Sequence, residues 1–487
     1  MGLCKQTLFS GLPVQVLPVP NIFTMDIMHL SALNDPDLFM KLFTGKLDVY
    51  EPNDRETWDW AIFYKDNRLW NAHGSTIPLS VPFIPSSFGR APRDPAKKMN
   101  SGYKAWEYQQ YLFGLGPTLF RSLLPEKYWL NYCKLVSGVC LLQRHRISRK
   151  ELVQGHKILM EFVCEFEDLY YQRKASRIHF VWQSIHMLTH IAPETIRAGP
   201  LSCYAQWTLK TAIENLGREI RQDWDIYTNL AQCVVLRAQL NSVRARFPQV
   251  QLEFGDSQSS SGSGNTCTFD GYDGYVLPPR REVHPTPLDE AEIEALTNYW
   301  RLQGWPNQDF WPNAVCRWAK LRLPNGQKAC SLWFESTVTT SVRRASCVEV
   351  CMVFTLFVSS CLVLRQIKHT SHMRIADILF YFYMCFGELK YPLAMVNLFS
   401  LPDSNILLAS SGAVYLCNPL QGLTVISITS IQSVVAMFPK MVINEDSKVE
   451  RTGKFSLMRH AYIELAKYSP DGFSNEGKEG EESMESE

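Results

Sequence analysis

The sequence predicts an α+β multidomain chain in which a mainly α-helical N-terminal domain precedes a small, mostly β C-terminal domain. Three observations predict it. Residues 101–172 and 229–246 carry apolar side chains at the spacing of helices packed on a core. A Ser/Gly stretch over residues 255–268, GDSQSSSGSGNTCT, then changes the composition abruptly, as a linker does. Beyond it, short β-prone runs alternate with turn residues. At 487 residues the chain exceeds one ordinary core. It divides into a helical domain over 1–250, a linker over 251–285, a β domain over 286–465 with an apolar insert at 347–377, and a disordered acidic tail over 466–487.

The elements follow in order. Residues 22–30, IFTMDIMHL, form either a buried strand ending at Asp26 or a first helical turn with Asp26 and His29 on one side. A helix over 37–44 enters through Pro36 and stops at Gly45. Trp58, Trp60, Phe63 and Trp70 read as core rather than as a base-stacking platform. Five prolines between Pro78 and Pro95 predict a long extended connection instead of a helix. The clearest helix covers 151–171, with Ile158, Leu159, Phe162, Val163, Phe166 and Tyr170 on one stripe and Glu161, Glu165 and Glu167 outside it.

Residues 177–229 are the stretch around which the chain is organised. An amphipathic helix there places Ile178, Trp182, Ile185 and Thr189 on one face, interspersed with His179, His186 and His190. Proline breaks are expected at Ala192-Pro193 and Gly199-Pro200, before a second helix over about 203–221. In the C-terminal part, Thr286-Pro287 starts a short helix, and residues 315–334 form a hairpin turning at Pro324-Asn325-Gly326. Strands are expected over 379–383, 393–399, 406–408, 414–417 and 423–428.

The net charge of +1 says nothing about partners, but its distribution does. Residues 90–150 hold twelve Lys/Arg against three Asp/Glu, whereas residues 464–487 hold eight acidic residues against two lysines. Arg90, Arg93, Lys97, Lys98 and Lys104 form a basic cluster around Tyr103 that could contact DNA phosphates; a solvated loop is the alternative. The 14 cysteines are scattered without a close Cys-x-x-Cys pair, which fits reduced thiols in the nucleus or cytoplasm. No secretory signal is evident at Met1. Residues 350–364, VCMVFTLFVSSCLVL, are uncharged but shorter than the ~20 residues of a membrane span. They are a buried element, a misplaced piece of coding sequence, or the basis of a membrane-associated alternative.

His186 and His190 stand four apart, a spacing that lets both imidazoles reach one metal ion, and Asp26 with His29 could form a metal or acid/base pair. Structural histidines are the competing reading. The sequence has no Walker loop, dinucleotide fingerprint or nucleophile elbow, and no small-molecule substrate is evident.

Longer segments carry more information. FTMDIMHLSALNDPDLFMKLFTG, WNAHGSTIPLSVPFIPSSFGRAPRDPAKKMNSGYKAWEYQQYLFGLGPTLFRSLLPEKYWLNYCKLV, and YYQRKASRIHFVWQSIHMLTHIAPETIRAGP resemble the C-terminal half of CACTA (En/Spm-like) transposases abundant in fungal genomes. RWAKLRLPNGQKACSLWFES, NLFSLPDSNILL and ITSIQSVVAMFP resemble the region that follows. The resemblance implies an RNase H-like core, with the helical block inserted before its last catalytic helix. It also implies three acidic residues holding Mg2+ or Mn2+, which would activate the attacking oxygen and stabilise the leaving one. Asp26 matches a core acidic residue. Where the family reads Gln-Trp-Thr-Met-Glu, this chain reads Gln206, Trp207, Thr208, Leu209 and Lys210, so an ammonium replaces the expected carboxylate; Glu214 lies one turn later. The resemblance places an earlier acidic residue and any zinc-binding cysteines N-terminal to the matched segment. It therefore implies a degenerate, catalytically inactive transposon derivative with residual DNA binding, and an active metal-dependent transposase or nuclease is the alternative.

Overall fold

The computed structural model describes residues 23–99, 101–219, 224–247, 266–304, 313–338, 343–357, 367–386 and 389–460. Residues 251–265 of the expected linker and the whole acidic tail lie outside them; residues 266–285 of that linker are folded instead, with strands at Cys267–Thr268 and Val276–Leu277 joined to a four-stranded sheet. Helices and antiparallel sheets together make an α+β protein, and every strand among the described residues follows residue 266.

The chain enters through α1 (Ile27–His29), capped by Asp26, so the helical alternative at this segment is the one adopted. A π-helical turn leads into α2 (Asp35–Phe43), which Thr44 and a left-handed Gly45 terminate. Next comes α3 (Asn67–Ser80), and it corrects the expected extended connection. Pro78 lies within its last turn, where its missing amide forgoes one bond, to the Gly74 carbonyl, and two 3-10 turns follow. Short helices α4 (Pro95–Lys98), α5 (Ala105–Tyr108) and α6 (Gly116–Leu119) precede the antiparallel pair α7 (Glu126–Leu142) and α8 (Arg149–Phe166). A capping box starts α8: the Ser148 hydroxyl accepts from Glu151 N at 3.3 Å, and Ser148 N donates to Glu151 Oε2 at 2.9 Å. At the α7/α8 contact Gly138 faces Leu159 and Gly155 faces Leu142, and a Cβ at either glycine would fall within 2.7 Å of leucine carbons.

The organising stretch is more broken than its periodicity implies. A 3-10 turn over residues 175–180 precedes α9 (Gln183–Met187), another 3-10 turn, α10 (Ile191–Ala198), α11 (Trp207–Glu219) and α12 (Ile226–Arg246). Pro193 sits in the first turn of α10, where its missing amide breaks no bond, so the break expected there is absent. The break at Gly199, with φ of +89°, is present.

Beyond residue 266 lie β1 (Cys267–Thr268), β2 (Val276–Leu277), β3 (Thr286–Pro287) and α13 (Glu290–Leu302). Thr286-Pro287 is thus a strand rather than a helix start. Asp289 takes the capping role, accepting from Glu292 N at 2.8 Å. Then follow β4 (Ala314–Val315), β5 (Lys320–Arg322) and β6 (Lys328–Cys330), the last two forming the expected hairpin with Gly326 at φ +85°. The end of that hairpin segment is α14 (Leu332–Thr337), capped by Ser331.

The apolar insert supplies β7 (Cys347–Phe357) and the start of β8 (Ile367–Phe386), which pair antiparallel from Cys347 and Asp377 to Phe357 and Ile367. Residues 350–357 are therefore strand; residues 358–364 lie outside the described residues. Among the described residues no helix is long and apolar enough to cross a membrane. The chain continues through β9 (Leu389–Phe399), α15 (Ser404–Ala409), β10 (Leu416–Cys417), β11 (Pro419–Ser427), β12 (Ile431–Val434), β13 (Ala436–Ile443) and β14 (Val449–Met458). The central sheet runs β11-β9-β8-β7-β12, and a smaller one runs β10-β14-β13. The strand expected at 406–408 is helical because the Asp403 carboxylate accepts from Asn405 N and Ile406 N.

The smaller sheet joins the helical core. Val414, Leu416, Ala436, Phe438, Met441 and Met458 are buried in one cluster with Phe39, Tyr132 and Phe162. Thr118 Oγ1 and Ser456 Oγ are 2.6 Å apart across this junction, and Arg343 donates to Ile84 O, Pro85 O and Gly89 O at 2.6–2.8 Å.

Candidate functional site

Asp26 stands where α1 begins, and its carboxylate is fully engaged. Oδ1 accepts from Met28 N at 3.2 Å and Gln206 N at 3.0 Å, while Oδ2 accepts from His29 N at 3.1 Å and also meets His29 Nδ1. A short polar side chain at this position satisfies backbone amides that the helix itself leaves open. The Gln206 contact is the informative one. It spans 180 positions and brings Asp26 against the entry to α11, the helix that carries Lys210 and Glu214. The structure therefore juxtaposes the two segments that the sequence singled out.

The carboxylates do not converge. Lys210 occupies the first turn of α11, its amide bonded to Gln206 O at 2.9 Å. Glu214 is paired with Arg218 at 2.6 Å and faces outward. Among the described residues no group of three His, Cys, Asp or Glu side chains could hold a metal ion. Four donors already surround Asp26, leaving its oxygens poorly suited to bridging two divalent cations. The residues present here do not fit a two-metal centre.

His186 and His190 do meet, Nε2 to Nε2 at 3.0 Å with rings nearly perpendicular, across the end of α9 and the turn after it. Both are exposed. One imidazole donating to the other accounts for the contact.

The basic cluster separates into two kinds of residue. Arg93 is structural: Nε donates to Glu107 Oε1 and Nη2 to Glu107 Oε2, each at 2.7 Å, and its guanidinium lies over Tyr103. Burial opposes ionisation of Glu107, but the Arg93 guanidinium and the backbone amides of Lys104 and Arg93 outweigh it, holding the carboxyl below its ordinary range. Lys97 lies 3.5 Å from Asp94. Arg90, Lys98 and Lys104 are exposed. Three exposed cations on one short segment can neutralise phosphate; Arg93 shapes the loop that presents them.

Three buried polar side chains escaped the sequence reading. Asp35 is fully buried in the first turn of α2; burial pushes its carboxyl up to about 7, with the nearby Ser184 hydroxyl offsetting part of the shift. Neither carboxylate oxygen meets a donor in good hydrogen-bond geometry. His73 is buried between Phe63 and Phe120 and bonds Tyr111 through Nε2 at 2.7 Å; burial pulls its imidazole down to about 3. Arg177 is buried over Trp60 and donates to Asn53 Oδ1 at 2.8 Å and Gln172 Oε1 at 2.7 Å. Only tertiary packing distinguishes these from ordinary surface residues. A sequence pattern carries no such signal.

Comparison with protein-family models, with curated proteins and with solved structures finds no match to this chain.

Proposed function

We propose that the chain is a transposon-derived protein that binds DNA without cleaving it, its ancestral site converted into a structural junction. The observation that carries the reading is the state of Asp26: three backbone amides and His29 occupy its carboxylate, and the helix it anchors offers Lys210 where the resembling family has a glutamate. A carboxylate pinned this way stabilises two helix starts, and an ammonium on the adjoining helix repels a divalent cation. The helical body corresponds, on this reading, to the block inserted before the last helix of an RNase H-like core. DNA contact falls to Arg90, Lys98 and Lys104, with nonspecific, salt-sensitive affinity. Partners other than DNA are not required by the reading, nor is a metal cofactor.

The test is incubation of the full chain with duplex DNA in Mg2+ or Mn2+, following retention and strand integrity together. Binding without nicking supports the proposal. Nicking that disappears in Asp26→Ala would establish the alternative, a metal-dependent nuclease or transposase.

A further inference from the structure

Where the start of the small sheet β1-β2-β5-β6 meets the end of the β8–β9 hairpin, the surface opens into a cleft of about 400 Å³. That is the small end of the ~300–1,000 Å³ range of ligand sites. Trp318 and Tyr383 line it, with ring centroids 6.3 Å apart, and Trp318 N donates to Tyr381 O at 2.8 Å, which ties the two sheets together beside the cleft. Alternation along β8 puts Tyr383 and Cys385 on one face, and the pairing of Cys385 with Lys390 brings Lys390 to that same face. Arg281 stands over Trp318 and Lys390 over Tyr383, each cation 5.5 Å from the ring centroid.

Ring faces hold these two cations; carboxylates do not. No Asp or Glu lines the cleft among the described residues, and neither Arg281 nor Lys390 makes an ion pair there. In the same domain Arg317, Arg344 and Arg459 are matched by Glu292, Asp377 and Glu349. The rest of the lining is polar: Thr266, Thr268 and the half-buried thiol of Cys267. Burial pushes that thiol up, while Lys390 and, more weakly, Arg281 pull it down, so both positive charges act at one point in the cleft.

We propose that this cleft binds a phosphate monoester, the Arg281 guanidinium and the Lys390 ammonium sharing its anionic oxygens while the Thr266 and Thr268 hydroxyls donate to the rest. Arginine engages two phosphate oxygens at once, and lysine adds a compact point charge. Two cations without counter-charges match the roughly −1.5 to −2 of a monoester at neutral pH, where a carboxylate would neutralise only one. The volume leaves room for the sugar that carries the phosphate. A free nucleotide and the 5′-phosphorylated end of a DNA strand both offer that group. The site is separate from Arg90, Lys98 and Lys104 and does not rest on DNA binding by them.

Alkylation of Cys267 by iodoacetamide in the full chain, read by mass spectrometry of the peptide that carries it, tests the proposal; exposed Cys164 and Cys203 are internal references. Millimolar deoxyadenosine 5′-monophosphate should slow labelling of Cys267 by at least ~5-fold, because an occupied cleft covers the thiol, and leave the references unchanged. Deoxyadenosine, or sodium chloride at matched ionic strength, should not protect. Arg281→Ala/Lys390→Ala should erase the protection with unchanged far-UV circular dichroism. An oligonucleotide with a 5′-phosphate that protects at lower concentration than the nucleotide, while its unphosphorylated form does not, would assign the strand end; weaker protection would assign the free nucleotide. Protection should persist in Arg90→Glu/Lys98→Glu/Lys104→Glu, so loss of duplex binding and loss of this site are read separately. Labelling of Cys267 indifferent to the nucleotide, protection matched by deoxyadenosine, or protection surviving the double alanine variant would overturn the proposal.

Discussion

Replacing Asp35 with asparagine should change markedly how stability depends on pH. In the folded chain the carboxyl holds its proton up to about 7, against 3.8 for the free group, because burial penalises the charged form. Folded molecules therefore bind one more proton than unfolded ones between these two values, and stability falls as pH rises through that window. A difference of about 3 pKa units corresponds to about 4 kcal/mol, large beside a typical total of 5–15 kcal/mol. Asparagine cannot ionise, but its amide inherits a site without hydrogen-bond partners, which costs about 1–3 kcal/mol. The variant should thus be similar to or weaker than the wild type at pH 4.5 and more stable at pH 8, the gap moving by about 3 kcal/mol between them. Denaturant titrations followed by tryptophan fluorescence at several pH values measure this gap directly. Parallel pH profiles for the two proteins would refute the reasoning, since Asp35 would then be ionised at no penalty.

Other substitutions address the remaining polar groups. The imidazole of His73, held down to about 3, resists protonation, so it contributes stability present above 6.5 and lost as pH falls towards 3; His73→Phe should flatten that acid-side decline in thermal melts. Arg93→Ala leaves the Glu107 carboxylate buried without its guanidinium and should cost about 3 kcal/mol of unfolding free energy by denaturant titration. Arg90→Glu, Lys98→Glu and Lys104→Glu together should leave stability nearly unchanged while weakening duplex DNA binding and reducing its log–log salt slope by about 2–3. Asp26→Ala should lower stability by about 1–2 kcal/mol through the lost cap and the lost tie to Gln206.

Helices α7 and α8 were legible because long amphipathic periodicity leaves few alternatives, and the 320–330 hairpin because Pro-Asn-Gly admits few turns. Local proline and threonine signals misled where a neighbour took over: Asp289 caps the helix that Thr286 was expected to start, and Pro78 is absorbed near the end of α3. Short apolar runs cannot announce their own state. Residues 406–408 are helical through the Asp403 cap, and residues 350–357 form a strand because β8 pairs with them along their whole length. At the site, periodicity and spacing alone did not link Asp26 to the helix of Lys210; only the resemblance set the two in one site. Their contact through Gln206 depends on how α1 and α11 pack, which no spacing rule encodes.

The most direct measurement follows supercoiled plasmid DNA with the full chain in Mn2+ at low and high salt. Retention that fades with salt while the plasmid stays supercoiled is the predicted result. Conversion to nicked or linear DNA by the wild type, but not by Asp26→Ala, would contradict a site given over to structure.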